Sequence, residues 1–128
     1  MVIETSVAFI SLLDGDILRI EFKPDVFVEP GDMAENMEAY RKLVGDKKVY
    51  LLTIAPATST LSPEARDLFA SPGRSSFKLA EGFVISSLAH RIMANFISKV
   101  QKPKHPLRFF DSEEAAMKWL KEIKAKVQ

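Results

Sequence analysis

Hydroxyl side chains cluster directly after the most apolar stretch of the chain. Residues Val49–Ile54 are apolar or aromatic apart from Thr53, which is typical of a strand covered on both faces. A second polar group follows a shorter apolar stretch, Phe83–Ile85. The carboxyl ends of parallel strands meet at one edge of a sheet, where α/β proteins commonly bind ligands. We therefore predict a ligand-binding or anion-binding edge formed by Thr58, Ser59, Thr60, Ser62, Ser86, Ser87 and His90.

Such an edge could hold a small anion. Helix N-termini carry unpaired N–H groups and the positive end of the helix dipole, and hydroxyl groups add further donors. A third loop of this kind, Asp111-Ser112, is expected at the same edge if the last three strands are parallel. The alternative is that Ser62, Ser87 and Asp111 cap the helices that follow them. The sequence leaves both interpretations open.

The residue types needed for catalysis are sparse. His90 could act as a base or as a partner for an anion, or it could cap or pack its own helix. His105 is the only other histidine, so no pair has the spacing of metal ligands. The chain has no cysteine and no Gly-x-Ser-x-Gly turn. We therefore predict no enzymatic activity, no cofactor and no bound metal.

Length and composition indicate one globular unit. The chain has 128 residues, of which 47% are hydrophobic and 27% charged, so it can form a hydrophobic core and is not expected to be disordered. We predict a single domain over residues 1–128. No apolar run approaches the roughly 20 residues of a membrane helix, and Glu4 lies where an export signal would be uncharged. We therefore expect a cytoplasmic protein without membrane insertion.

Charge is unevenly distributed along the chain. Residues 1–38 carry nine acidic and two basic side chains, a balance of −7, whereas residues 39–128 carry eight acidic and sixteen basic ones, a balance of +8. The two parts could neutralise each other within one fold. The basic stretch from Lys99 to Arg108 lacks the interleaved exposed aromatic residues that single-strand binding uses. We therefore predict no nucleic-acid binding.

The elements follow the order of an α/β sheet that begins with a hairpin. Thr5–Leu13 and Ile17–Phe22 flank the turn signal Asp14-Gly15-Asp16 and predict two antiparallel strands. Capping boxes predict that one helix starts at Asp32 and another at Asp111. The fold predicted is a mixed sheet of about five strands, with the hairpin followed by the order α-β-α-β-α-β-α.

The second half of the chain contains the most apolar helix. It is predicted from Leu88 to Gln101, with an inward stripe formed by Leu88, Ile92, Phe96 and Val100 and widened by Met93 and Ile97. A last strand is predicted at Leu107–Phe110. The stretch Arg74–Gly82 is too polar and irregular in pattern to be assigned. In the terminal helix, the predicted buried residues are Ala115 or Ala116, Trp119, Leu120 and Ile123.

Two segments resemble a known family. The run Pro106–Ala115, closing on Trp119-Leu120, and the segment Ser62–Arg66 resemble the uncharacterised branch of the SpoIIAA-like or STAS-like domains of bacterial regulators. The resemblance implies the SpoIIAA-like fold over the whole chain. Regulatory members carry a phosphorylatable Ser or Thr within Asp-Ser-Ser-Gly or Asp-Ser-Thr-Gly. Neither that Asp nor that Gly accompanies Thr58–Ser62, so the resemblance does not extend to a phosphorylation switch.

Two functions follow from the resemblance and the composition. The first is a non-enzymatic STAS-like regulatory domain that binds another protein or forms a homodimer. The alternative is a module that binds a small molecule, an anion or a lipid at the carboxyl edge of the sheet, since this fold is similar to the lipid-binding Sec14 fold. The stripe at Met93, Phe96 and Ile97 is wide enough to line a pocket.

Overall fold

A mixed sheet with helices on both faces forms the framework of the protein. The structure is a computed structural model, and it describes residues 1–14, 16–69, 77–96 and 105–127. The elements in chain order are β1 (Val2–Glu4), β2 (Ala8–Leu13), β3 (Ile17–Phe22), β4 (Phe27–Val28), α1 (Pro30–Val44), β5 (Val49–Ile54), β6 (Thr60–Leu61), α2 (Pro63–Phe69), β7 (Lys78–Val84), α3 (Leu88–Phe96), β8 (Leu107–Phe110) and α4 (Glu113–Val127).

The main sheet has six strands in the order β1-β2-β3-β5-β7-β8. The predicted hairpin is confirmed, since β2 and β3 pair antiparallel from Ala8↔Phe22 to Leu13↔Ile17. Strands β3, β5, β7 and β8 then run parallel to their neighbours. The apolar stretch Val49–Ile54 is the buried strand β5 between β3 and β7, as predicted. The mixed α/β fold is therefore confirmed, with one strand more in this sheet than expected.

The additional strand arises because Thr5 interrupts what the sequence presents as one strand. The Thr5 Oγ1 atom accepts hydrogen bonds from the N–H groups of Val7 and Ala8, at 3.3 and 3.0 Å, and donates one to Asn36 Oδ1 at 2.8 Å. Local bonds of this kind turn the chain out of the strand. The segment before the turn, β1, folds back antiparallel on β2.

Two helix starts differ from the predicted ones. Helix α1 begins at Pro30, whose missing N–H costs nothing in the first turn. Asp32 is the third residue of α1, and its carboxylate accepts the N–H of Glu29 at 2.9 Å, so it is not the N-cap. Helix α4 is capped by Ser112 rather than by Asp111, because Ser112 Oγ accepts the N–H of Ala115 at 3.2 Å.

The helices divide between the two faces of the sheet. Helices α1, α2 and α3 contribute buried residues to the core that contains Ile20 and Leu51, whereas α4 packs its Ala116 and Leu120 on the opposite face. Trp119 and Ile123 of α4 are only half-buried there. Gly82 lies under α4, where an added Cβ would come within 3.3 Å of Ala116 Cβ. A glycine at this position lets α4 approach the sheet closely.

An ion pair fastens the start of α4 to the sheet. Arg19 on β3 donates two hydrogen bonds to the Glu113 carboxylate, at 2.8 and 3.1 Å. These bonds hold the pKa of Glu113 below its usual value. The bidentate geometry fixes the direction in which α4 crosses the sheet.

Candidate functional site

A small two-stranded sheet positions the hydroxyl-rich loop after β5. Strand β4 pairs in parallel with β6, and the pair is framed by the bonds from Thr60 N–H to Val26 O at 3.0 Å and from Ser62 N–H to Val28 O at 2.9 Å. The Ser59 hydroxyl donates to Pro56 O at 2.9 Å. The loop is therefore held by backbone bonds that follow Ser59 and by the bond of the Ser59 hydroxyl to Pro56.

His90 joins helix α3 to this loop. Its ring Nε2 lies 2.6 Å from the carbonyl oxygen of Ser59, and the side chain is almost wholly buried. A carbonyl oxygen only accepts hydrogen bonds, so Nε2 must carry the proton. The other ring nitrogen, Nδ1, is buried and has no hydrogen-bond partner among the residues that the structure describes.

A pocket of about 150 Å³ lies between α3, the loop and the sheet. Most of its wall is apolar, with Phe83 from β7 and Met93 from α3 among the larger side chains. His90, Ser59 and Thr60 supply the polar part of the lining. An apolar pocket with a few polar groups is the common form of a small-molecule site.

The structure brings three of the seven predicted site residues, Ser59, Thr60 and His90, to this pocket. Ser62 caps α2 through the bond from Ala65 N–H to its Oγ at 3.0 Å, and Ser87 caps α3 through the bond from the backbone N–H of His90 at 3.1 Å.

The other two predicted residues do not line the pocket. Thr58 Oγ1 accepts the N–H of Asp25 at 3.0 Å, and Ser86 is exposed. The predicted edge is therefore divided between a pocket wall and residues that close turns or cap helices.

The third predicted loop lies apart from this pocket. Ser112 caps α4, which covers the opposite face of the sheet from α2 and α3. Asp111 pairs with Arg91 of α3. The parallel pairing of β5, β7 and β8 places the loop that precedes α4 at the same carboxyl edge of the sheet as the loops that precede α2 and α3, although α4 packs on the opposite face.

The outward face of α3 carries two large apolar side chains. The prediction that Leu88 and Ile92 point inward is wrong, since their exposed fractions are 74% and 63%. The buried residues of α3 are His90 and Ala94, and Met93 is half-buried. The His90–Ser59 bond holds this side of the helix against the loop. The predicted continuation of the helix from Ile97 to Gln101 lies outside the described residues.

A charged cluster that the sequence analysis did not find is buried within the sheet. Lys78 and Glu81, both on β7, form an ion pair of 2.9 Å whose two side chains are each about 1% exposed. Thr53 donates a hydrogen bond to the other Glu81 oxygen at 2.8 Å. The Lys78 ammonium group lies 4.5 Å from the centre of the Phe69 ring. His105 Nε2 lies 3.6 Å from Glu81, a distance too long for a hydrogen bond.

The protonation state of Glu81 follows from this pairing. Burial by itself would raise the pKa of the carboxyl group, but the charge of Lys78, together with the hydrogen bonds from Lys78 and Thr53, lowers the pKa to about 2. Glu81 is therefore ionised at neutral pH. The adjoining cavity of about 20 Å³ has room for little more than one water molecule, so the cluster has no space for a substrate.

A bulge in β7 explains how Lys78 and Glu81 reach the same face. The pairing of β5 with β7 passes from Val49↔Lys78 to Tyr50↔Ala80, which leaves Leu79 as the extra residue. Residues three apart in a regular strand point to opposite faces, and one extra residue brings them to the same face. Of the unassigned stretch Arg74–Gly82, residues 78–82 thus belong to β7 and carry the buried ion pair, whereas residues 74–76 lie outside the described residues.

The architecture matches a SpoIIAA-like fold. A crystal structure of an uncharacterised protein of the DUF3478 family from Shewanella loihica PV-4, described as having a SpoIIAA-like fold, matches over 88% of this chain and 91% of that chain. The TM-score is 0.58 and the sequence identity 18%, so the likeness concerns the fold. The chain itself belongs to a domain family of unknown function, DUF7793, whose profile matches residues 10–124. Curated protein sequences give no match.

Within residues 1–14, 16–69, 77–96 and 105–127, no three His, Asp or Glu side chains are grouped so that they could hold a metal ion. In the same ranges, no helix has the length and apolar character needed to cross a membrane.

Proposed function

We propose that this domain is a non-enzymatic regulatory module that acts in the cytoplasm by binding another protein through the outward face of α3. The observation that carries the proposal is the exposure of Leu88 and Ile92, which are one helical turn apart and so form one continuous apolar surface. Large exposed apolar side chains that adjoin one another are a common feature of protein-docking surfaces.

Charged residues near α3 in the sequence indicate the chemistry of the partner. Arg91 lies between Leu88 and Ile92 in the sequence, is exposed, and pairs with Asp111. The sequence that follows α3, residues 97–104, contains three lysines and no acidic residue. The partner that fits is a protein surface with apolar side chains bordered by Asp or Glu, and added salt should weaken its binding.

The bonding of the hydroxyl groups supports a function without catalysis. The hydroxyl oxygens of Ser62 and Ser87 accept backbone N–H groups as helix caps, and that of Ser59 donates to a backbone carbonyl. A nucleophilic hydroxyl needs a neighbouring base that takes its proton. The nearest imidazole, that of His90, is bonded to the carbonyl oxygen of Ser59 and not to its hydroxyl.

The proposal is tested with the double variant Leu88→Ser/Ile92→Ser. We expect it to lose its partner, with affinity reduced about tenfold or more, because apolar anchors at the centre of an interface carry much of the binding energy. The free energy of unfolding should stay within about 0.5 kcal/mol of the wild type, since both side chains are on the surface. The measurements are affinity capture from cells of the source organism, quantified for each protein recovered, and urea unfolding.

The matched control is Val2→Ser on β1. Val2 is 63% exposed, the same fraction as Ile92, and lies on the edge strand at the other side of the sheet from β8. A protein captured by the wild type and by Val2→Ser, but not by the double variant, supports the proposal. Equal capture by all three forms would contradict the proposal. A wild-type homodimer that becomes a monomer in the double variant would also contradict it, because the outward face of α3 would then bind a second copy of this chain.

A further inference from the structure

We propose that the pocket beneath α3 binds an uncharged apolar molecule about the size of one six-membered ring, and that it favours such a molecule over one that carries a hydroxyl group. This inference goes beyond protein docking, because it concerns the inner side of α3 rather than its outward face. It rests on three observations: the size of the pocket, its apolar lining, and the internal bonding of the polar side chains in that lining.

The size of the pocket limits the ligand. Its volume is about 150 Å³, and an apolar protein cavity of roughly that volume is known to bind benzene. Two residues of the lining, Thr60 and Ala89, are exposed, so the pocket is open to the surface beside β6 and the start of α3. We therefore expect a single six-membered ring to enter the pocket and to fill most of it.

The lining selects an apolar body. Val28 contributes an apolar side chain from β4, Phe83 contributes one from β7, and Met93 contributes one from α3. A ligand that covers these side chains removes their apolar surface and its own from water, and the gain in free energy grows with that area. The flexible thioether of Met93 can adjust to ligands of slightly different shape.

The buried polar side chains of the lining select against a polar ligand. The Ser59 hydroxyl donates to Pro56 O at 2.9 Å, and His90 Nε2 donates to the Ser59 carbonyl oxygen. The other ring nitrogen of His90 is too deeply buried for a ligand to touch it. A hydroxyl group that leaves water without gaining a new hydrogen bond costs free energy. A hydroxyl group on the ligand therefore weakens binding, whereas a methyl group in its place does not.

The test compares toluene with phenol, which have the same number of non-hydrogen atoms. Binding to the full chain is followed by ¹H–¹³C NMR titration of the methyl groups of Val28, Ala55 and Met93, all of which belong to the lining. We expect saturable shifts with toluene and a dissociation constant for phenol that is larger by roughly tenfold or more, as the transfer of an unpaired hydroxyl implies.

A bulky side chain at the opening should prevent binding. Ala89→Phe places a ring at the lining of the pocket, so toluene should no longer saturate it. The matched control is Ala115→Phe, since Ala115 is also an exposed helical alanine but lies on α4, on the other face of the sheet. This control should bind toluene like the wild type. Leu88→Ser/Ile92→Ser should also bind toluene normally, which separates the pocket from the docking surface.

A second measurement needs no variant and covers the case in which Ala89→Phe does not fold. In the wild type, the ring protons of bound toluene should give intermolecular NOEs to the methyl groups of Val28, Ala55 and Met93. The proposal is overturned if toluene causes no saturable change at these methyl groups or gives no NOEs to them. It is also overturned if phenol binds as tightly as toluene, or if folded Ala89→Phe binds toluene like the wild type.

Discussion

Replacement of Glu81 by leucine is expected to lower the free energy of unfolding by about 3 to 5 kcal/mol. The substitution leaves the Lys78 ammonium group in the sheet without the carboxylate that lies 2.9 Å from it, and it also removes the acceptor of the Thr53 hydroxyl. A charge that loses its counter-charge in the interior is far more costly than an exposed one. Urea unfolding of Glu81→Leu and of the wild type at neutral pH measures the difference.

The double variant Lys78→Met/Glu81→Leu is the matched control. Replacement of both members of a buried ion pair by apolar residues of similar size is often close to neutral. Methionine is an unbranched apolar side chain that can pack beside the Phe69 ring, near which the Lys78 ammonium group lies. We expect the double variant to recover most of the stability that Glu81→Leu loses. Equal losses in the single and double variants would show that the two side chains do not depend on each other.

Acid is expected to remove a second large contribution, on the order of 3 kcal/mol, as the pH falls from about 4.5 to about 2. The pKa of Glu81 is about 2 in the folded protein and about 4.5 in the unfolded chain. Between these values the unfolded chain binds a proton at Glu81 and the folded chain does not, so acid favours unfolding. The contribution is fully present above pH 4.5. Urea unfolding at a series of pH values between 7 and 2 measures it.

The same double variant isolates the part that belongs to Glu81. Lys78→Met/Glu81→Leu lacks this carboxyl group, so its stability should fall less steeply with acid than that of the wild type. Glu113, whose pKa Arg19 lowers, is half-buried and remains in both proteins. Identical slopes for the wild type and the double variant below pH 4.5 would contradict the low pKa of Glu81.

The framework of the sheet was predictable because its signals are local. Val49–Ile54 is apolar on both faces and is the buried strand β5, and the turn signal around Asp14 joins two strands that pair as a hairpin. The caps at Ser62 and Ser87 were foreseen as one of two alternatives, since a serine before a helix accepts a backbone N–H whatever the rest of the fold does.

The orientation of α3 was not predictable from its own sequence. A helical pattern shows which residues share a face, and the larger apolar face, with Leu88 and Ile92, is normally the buried one. In the structure a hydrogen bond between His90 and the Ser59 carbonyl, 31 residues away, holds the other side of the helix inward. Helix periodicity contains no information about a partner in a distant loop.

The buried ion pair was missed for a similar reason. Lys78 and Glu81 are three residues apart, which in a regular strand places them on opposite faces, and charged residues are rarely buried without a partner. Only the bulge at Leu79 brings them together. The pairing depends on the register between β5 and β7, which the residues of β7 do not specify by themselves.

The most direct test of the docking proposal is photo-crosslinking from the outward face of α3 in living cells. A photoreactive amino acid is placed at Leu88 or Ile92 in separate experiments, and at Val2 as the control of matched exposure. We predict that both α3 positions crosslink to the same protein and that Val2 does not crosslink to it. The crosslink from Leu88 should be lost in Ile92→Ser, and the crosslink from Ile92 should be lost in Leu88→Ser. Crosslinks that are absent from both α3 positions, or the same as those from Val2, would contradict the assignment of this face.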